Sequence, residues 1–498
     1  MKLVFILFVI AVALELLVPV VWRARKVIAG ACLIITAFAS GALLAWRPNI
    51  LSGLIVLASA YRVINNIRLI KGRMHTRYLR RVTLRTSIVL SSIQALLVYV
   101  WWQWYQTPVE YETLWLGIAI LQAVAASIVL AATIRRLKRT QPQLEDKHMS
   151  DKDLPSITIA IPARNETEDL QACLESIIAN DYPKFEVLVL DDCSQNKRTP
   201  EIIRSFAHEG VRFLQGDIPS ETWLPKNQAY NQLAREASGE YILFCGADIR
   251  FEPNAIRKIV TMVHLKQKAM VSILPLRVNG GVEDKALIQA MRYWWELAPP
   301  RRLFNRPSVI SSAWVVQRDA LQKAGGFAAV ARAIVPEAYF AKRLLATDGY
   351  SFVRSDRTLG VESGKAAEDQ RDTAVRLRYP QLHRRPEQVF ITTILEAALL
   401  LMPFVITLAG IWMPINGLTH LLAATAALFQ IAAYVHIALA TRINTLPFTL
   451  IAFPVAVAID LGLLQKSMWQ YEFSEVIWKG RNICIPVMHV TPHLPKLP

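Results

Sequence analysis

Cysteine is scarce in this chain. The five in 498 residues (Cys32, Cys173, Cys193, Cys245 and Cys484) are widely spaced and form no CxxC pair. That pattern argues against a disulfide framework or a zinc site and fits reduced thiols. Histidine offers no more: His208, His264 and His383 have no partner at a spacing that suggests a metal site or a triad. Internal repeats and low-complexity tracts are absent. Acid is the scarcer charge, with 39 acidic residues against 56 basic ones and a net charge of +17. Nucleic acid is the obvious partner for such a balance. Yet 53% of the residues are hydrophobic and the mean hydropathy is positive, so part of the chain belongs in lipid. Basic residues beside apolar spans face the cytoplasm and its anionic lipids. The charge therefore points to a bilayer and away from nucleic acid.

The length has room for about three ordinary domains. Residues 2–22 form an apolar run ending at Arg23-Ala24-Arg25-Lys26. A cleaved signal peptide would carry its positive charge before the apolar core, so this run reads as an anchor. Further candidate spans lie near 27–45, 50–69, 86–105 and 113–133, each close to the ~20 residues a bilayer requires. Arg62, Asn65, Asn66 and Arg68 interrupt the stretch at 50–69, and a helix lying on the membrane surface fits it almost as well. The basic loops at 71–85 and 135–139 are expected inside, against an acidic or neutral 106–112. Hydrophobicity returns near 389–413, 418–439 and 446–465. Three full spans there would leave the basic tail outside, so one is expected to be re-entrant or interfacial.

The expected division is a membrane domain at 1–139 with four to five spans, a polar linker at 140–155 and a soluble domain at 156–385. A second membrane domain at 386–466 with two to three spans and an interfacial tail at 467–498 follow. The expected location is the plasma (inner) membrane, with the soluble domain cytoplasmic.

Three apolar runs within that domain end in polar clusters. ITIAI leads into Pro162-Ala163-Arg164-Asn165-Glu166, EVLVL into Asp191-Asp192-Cys193-Ser194, and YILFC into Gly246-Ala247-Asp248. Segments of helical period separate them, so the order is strand, helix, strand, helix, an α/β pattern with a mostly parallel sheet. Ligands of such sheets bind at the carboxyl ends of the strands. Arg164, Asn165, Glu166, Asp191, Asp192 and Asp248 would all fall there. The plainer alternative is that these acids form turns and cap helices.

PARNE, DDCS, Lys226 in WLPKNQA, the strand leading to Asp248, Gly325-Gly326 and the late WKGR, taken in order, resemble a family 2 glycosyltransferase. The multi-span layout, the Lys226 segment and WKGR are most similar to hopene-associated and ceramide-type members. The resemblance implies a GT-A fold with a nucleotide-sugar donor, most often a UDP-sugar, across the strand ends. Pro162 would stop the first strand, and the turn through Arg164 would bring backbone groups and Glu166 to the nucleoside, Glu166 meeting the ribose. Asp192, beside Asp191, would accept from the uracil N–H. Lys226 would place a point charge near the diphosphate. Asp248 matches the last position of the family's DxD, which holds Mg2+ or Mn2+. Gly246 stands where the first Asp is usual.

The same resemblance aligns Pro336-Glu337 with the carboxylate pair that supplies the general base. Proline is tolerated at a helix start and a carboxylate is stabilised there, so Glu337 is the expected base. Val375-Arg376-Leu377-Arg378-Tyr379 aligns with QRxRW. Arg376 and Arg378 would reach the diphosphate and Tyr379 would stack on a sugar. Trp294, Trp295 and Trp314 fall on the acceptor side, although aromatics in such elements are more often core. A lipid or lipid-linked acceptor is expected from the membrane setting, with the basic junction at 371–388 against the headgroups. A processive polysaccharide synthase is the alternative enzyme. A degenerate scaffold, marked by Gly246, Pro336 and Val375, is the alternative without turnover.

Overall fold

In a computed structural model of the chain, the described residues are 2–18, 21–46, 48–71, 76–106, 111–144, 149–220, 222–278, 287–299, 307–443 and 449–483. Cys484, the end of the tail and part of the loop expected to be basic at 71–85 lie outside them. Five helices come first: α1 (Lys2–Leu17), α2 (Arg25–Trp46), α3 (Ile50–Lys71), α4 (Thr76–Gln106) and α5 (Tyr111–Arg139). Three apolar segments follow the central domain: α14 (Pro386–Glu396) with α15 (Met402–Trp412), then α16 (Gly417–Ala440) and α17 (Thr449–Phe473). Seven helices among the described residues are long and apolar enough to cross a membrane, four before the domain and three after it. α1 has 16 residues, about 24 Å at 1.5 Å per residue, less than the ~30 Å hydrocarbon core.

The polar residues of α3 do not mark a surface helix. Arg62, Asn65 and Asn66 are fully buried within the bundle. Arg62 Nε donates to Glu15 Oε2 of α1 at 2.7 Å and Nη1 to Gln94 Oε1 of α4 at 2.6 Å. Ionisable groups inside a membrane segment turn to the bundle interior and pair there. The stripe that weakens the hydropathy of 50–69 is therefore the contact face of the helix.

The central domain contains β1 (Ile157–Ala163), α6 (Glu168–Ile178), β2 (Phe185–Asp191), α7 (Arg198–Ser205), β3 (Val211–Gln215), α8 (Pro225–Glu236), β4 (Tyr241–Cys245), β5 (Ile249–Phe251) and α9 (Ala255–Leu265). It continues with β6 (Met270–Leu274), β7 (Leu276–Arg277), α10 (Leu287–Leu297), β8 (Ala313–Gln317), α11 (Arg318–Lys323), α12 (Pro336–Leu345), β9 (Tyr350–Arg354), β10 (Val361–Ser363) and α13 (Ala367–Gln381). The main sheet runs β3-β2-β1-β4-β8-β6-β9. β1, β2, β3 and β4 are parallel, and β8 runs antiparallel to both its neighbours. Alternate residues feed two cores. Ile157, Ile159 and Ile161 join Val187, Leu243, Leu170 and Ile259 on one face. Ala160 joins Leu188, Phe244, Tyr230, Trp314 and Phe340 on the other. Helices cover both faces, the layered α/β arrangement expected of near-continuous apolar strands.

Pro162 does not stop β1. The strand continues to Ala163, with Pro162 opposite Leu190 of β2. On the β4 side the pairing ends at Ala160 opposite Phe244, so the proline lies where that ladder has already finished. Trp294 and Trp314 are core residues, 2% and 0% exposed. α10 packs on α16 and α17, and α13 runs along α17. The central domain is thereby seated on the carboxy-terminal helices.

Candidate active site

An open cleft lies at the carboxyl ends of β1, β2 and β4. Pro162, Arg164, Glu166, Asp192, Lys226, Asp248 and Arg376 line it, as anticipated from the sequence. Glu337 stands behind Lys226: its Oε1 is 3.5 Å from Lys226 Nζ. Both residues open helices whose first position is proline, α8 with Pro225 and α12 with Pro336, so two helix starts converge. Glu337 is fully buried, and its Oε2 has no hydrogen-bond partner among the described residues. Burial pushes the Lys226 pKa down, and the Glu337 carboxylate opposes that.

Asp248 follows β4 through a turn in which Gly246 leaves room for its carboxylate. A Cβ at 246 would lie 2.4 Å from Asp248 Oδ1. The other oxygen accepts from Ser363 Oγ at 2.9 Å, and the Asp248 carbonyl accepts from Gly364 N at 2.9 Å. These bonds bring Lys365 beside Asp248, with its Nζ donating to Thr373 Oγ1 at 2.7 Å. Burial lowers the Lys365 pKa to about 8, Asp248 opposing.

The nucleoside end is filled with ion pairs. Arg481 Nη1 lies 2.7 Å from each carboxylate oxygen of Asp192. Glu166 pairs with the Lys479 ammonium. Burial raises the pKa of both acids, and the two cations oppose it. Arg164 does not present its guanidinium freely: Nε donates to the Lys479 carbonyl at 2.8 Å and Nη1 to the Asp192 carbonyl at 2.7 Å. Its pKa is lowered by burial and by Arg481. Asp191 is a turn former, as the plainer alternative had it, with Oδ1 accepting from Ser194 N at 3.1 Å and Oγ at 2.5 Å.

Arg378 and Tyr379 are not brought to the cleft. Arg378 Nη2 donates to Asp460 Oδ2 of α17 at 2.6 Å and Glu396 Oε1 of α14 at 3.0 Å. Two residues apart on a helix, Arg376 and Arg378 face different ways, and α13 turns Arg376 to the cleft. Tyr379 is fully buried one turn further on, its hydroxyl donating to Glu472 Oε1 at 2.6 Å. Lys365, Arg292, Asp169, Asp369, Trp478 and Lys479 line the cleft without having been anticipated there. WKGR offered the one sequence signal, a basic motif near the end with Gly in a turn position.

A glycosyl transferase family 2 model matches residues 158–325. Glycosyltransferase AglE of Haloferax volcanii is 34% identical over 99 residues, 19% of this chain and 31% of that protein. The 4,4'-diaponeurosporenoate glycosyltransferase of Staphylococcus aureus is 29% identical over 167 residues, 33% of this chain and 42% of its own. The ceramide glucosyltransferase of Komagataella phaffii is 30% identical over 112 residues, 20% of this chain and 21% of its own. The matches thus span less than half the length of each of these relatives. A solved mannosyltransferase from Pyrobaculum calidifontis, in complex with GDP-Man and Mn2+, aligns over 70% of this chain and 98% of its own at 18% identity and a TM-score of 0.43. The family match falls on β1 to β8, among them β1, β2 and β4, whose ends build the cleft. Residues 158–325 of this chain thus match the glycosyl transferase family 2 model, within an α/β domain set between two groups of apolar helices.

Proposed function

We propose that the protein transfers a sugar from a nucleotide-sugar, a UDP-sugar, to a hydroxyl of a lipid or lipid-linked acceptor, with inversion at the sugar. The observation that carries this reading is the convergence on one cleft of Asp192 and Asp248, with Glu337 held behind Lys226. The acceptor oxygen attacks the anomeric carbon, the bond to the diphosphate breaks, and the hydroxyl proton passes to Glu337. Glu337 Oε2 has no hydrogen-bond partner among the described residues, which leaves it open to accept that proton. Lys226 screens it from the cleft. As charge grows on the departing diphosphate, the ammonium can serve that charge in place of Glu337.

Among the described residues no group of three or more His, Cys, Asp or Glu is placed to hold a metal. Asp248 alone fits a Mg2+ or Mn2+ ion that arrives with the diphosphate, since Mg2+ binds through one or two carboxylates plus substrate phosphates and keeps several waters. Bound there, the ion would neutralise charge on the leaving group. A lipid acceptor agrees with the apolar helices on both sides of the domain, and two relatives are named for ceramide and 4,4'-diaponeurosporenoate. The basic flanks of the domain support a position on the cytoplasmic side of the plasma membrane.

The test is incubation of the purified protein with radiolabelled UDP-sugars, Mg2+ or Mn2+ and membrane lipids. A lipid product bearing one sugar supports the proposal. It should vanish in Glu337→Gln, by about 10²–10⁴-fold in rate, while UDP binding is kept. A polymeric product would mean a processive synthase. Unaltered donor across the panel would mean a scaffold.

A further inference from the structure

The described chain ends in a small hairpin, and it ends inside the cleft. β11 (Ile477–Trp478) pairs antiparallel with β12 (Arg481–Asn482), Trp478 opposite Arg481. Lys479 and Gly480 between them both have positive φ, 45° and 77°. Two successive left-handed residues form the tight turn whose twist suits a two-residue hairpin, and glycine takes the second place without strain. The turn is wedged between the loops after β1 and β2. On the β1 side, Arg164 Nε and Asn165 Nδ2 donate to the Lys479 carbonyl at 2.8 and 3.2 Å. On the β2 side, a Cβ at Gly480 would lie 2.8 Å from Gln195 Oε1. Arg481 adds a bond from Nη2 to the Asp192 carbonyl at 3.0 Å, beyond its contacts with both carboxylate oxygens. The Arg376 guanidinium lies over the Trp478 ring, 4.8 Å from its centre.

We propose that this hairpin is a fixed wall of the nucleotide site, in which Arg481 is a positioning residue that aims the Asp192 carboxylate at the base of a nucleoside diphosphate and Lys479 presents its charge to the same ligand. The inference rests on the nucleotide-sugar reading of the cleft and assigns part of that site to residues far from the family 2 domain. A carboxylate has about four acceptor positions, so the Arg481 contacts leave room for an N–H of a base. The arginine also opposes the rise that burial imposes on the Asp192 pKa.

The opposite possibility is a plug that must leave before a nucleotide enters. Arg164 argues against it. The same guanidinium that holds the turn carbonyl also donates to the carbonyls of Asp192 and Cys193, at 2.7 and 2.5 Å, and the residue is 4% exposed. Withdrawal of the hairpin would take from Arg164 one of its three acceptors and would part Arg481 from Asp192 and Lys479 from Glu166. The hairpin follows directly from α17, so the last apolar helix delivers a wall of the donor site.

Isothermal titration of UDP and GDP, with Mg2+ present, into the full-length protein in detergent tests this. Wild type, Arg481→Ala, Asp192→Asn and the double variant form a cycle. Arg481→Ala is expected to weaken UDP or GDP binding at least about tenfold, the size of a hydrogen bond to a charged group. The double variant should bind no worse than the weaker single, because one residue acts through the other. Arg481→Lys keeps the charge and loses the fork; as the gentler variant it should fall between wild type and Arg481→Ala. Additive losses, unchanged binding in Arg481→Ala, or tighter binding there would overturn the proposal, the last marking a plug. Wild type that binds neither nucleotide would instead overturn the reading of the cleft on which it stands.

Discussion

Asp192 shows how much a single buried acid depends on its surroundings. Burial raises its pKa, Arg481 and Arg164 lower it, and Asp191 raises it again. A folded-state pKa above the unfolded value means that the charged form is penalised at neutral pH, and that this penalty is relieved as pH falls through the raised pKa. The nucleotide needs the charged form as its acceptor. Binding of UDP should therefore weaken as pH drops through the raised pKa while fold stability gains from the same protonation. In Arg481→Ala the weakening should begin at higher pH, which titrations at a series of pH values would show; an unmoved profile would separate the two residues. Gly246 makes a second case. A methyl group there meets the end of the Asp248 side chain, which can swing aside. Gly246→Ala should change stability by no more than ~0.5 kcal/mol, as surface-type substitutions do, yet weaken Mg2+-dependent UDP binding by displacing the carboxylate from Ser363. Calorimetry with and without Mg2+ checks both halves.

Among the elements, α13 separates two arginines that look equivalent in the sequence. Arg376 lines the cleft, while Arg378 is tied to Asp460 and Glu396. Removing one partner of a buried ion pair costs about 3–5 kcal/mol. Arg378→Ala should accordingly lower the unfolding midpoint strongly, with donor affinity kept in the fraction that remains folded. Arg376→Ala should do the reverse. Thermal unfolding beside nucleotide titration distinguishes them, and equal effects in both assays would dismiss the division of the helix. The sequence motif shows that two arginines are present; only the rotation of α13 against α17 says which of them meets the donor. The strands were easier to read. Ile157 to Ile161, broken only by Thr158, and Tyr241 to Cys245 are apolar because both faces of the sheet are covered, and the polar residues that follow mark the strand ends. Asp192 and Asp248 were legible for that local reason, whereas Lys226 and the proline-led start of α12 were singled out only through the resemblance of their motifs to the family. Lys479 and Arg481 were not, because their partners Glu166 and Asp192 lie roughly 300 residues earlier and no periodicity links them.

At the scale of the whole molecule, polar contacts hold the apolar helices in register. Hydropathy marks α3 as a poor span because it counts Arg62, Asn65 and Asn66 one at a time. Packed, Arg62 meets Glu15 of α1 and Gln94 of α4, and Asn65 Nδ2 donates to Ser87 Oγ of α4 at 3.0 Å. Lipid offers such groups nothing, so Arg62 and Asn65 find their partners on neighbouring helices. The seam continues toward the site: Arg68 of α3 pairs with Glu472 of α17 at 2.7 Å, and Glu472 accepts from Tyr379 of α13. The amino-terminal helices are thus tied to the helix that presents Arg376, yet the Arg62–Glu15 pair lies at the far end of that chain of contacts. Arg62→Leu leaves Glu15 buried without its cation and should destabilise the protein by about 3–5 kcal/mol. Arg62→Leu combined with Glu15→Leu removes both charges and should recover most of that loss, because an apolar pair of similar volume is often neutral or stabilising. UDP affinity should stay within about twofold in either protein, the sites being distant and sharing no partner. Unfolding in mixed micelles measures the first two quantities and nucleotide titration the third. A double variant no more stable than Arg62→Leu would mean that the pair sets the helix arrangement by its geometry, and a fall in UDP affinity in both would mean that the seam transmits it to the cleft.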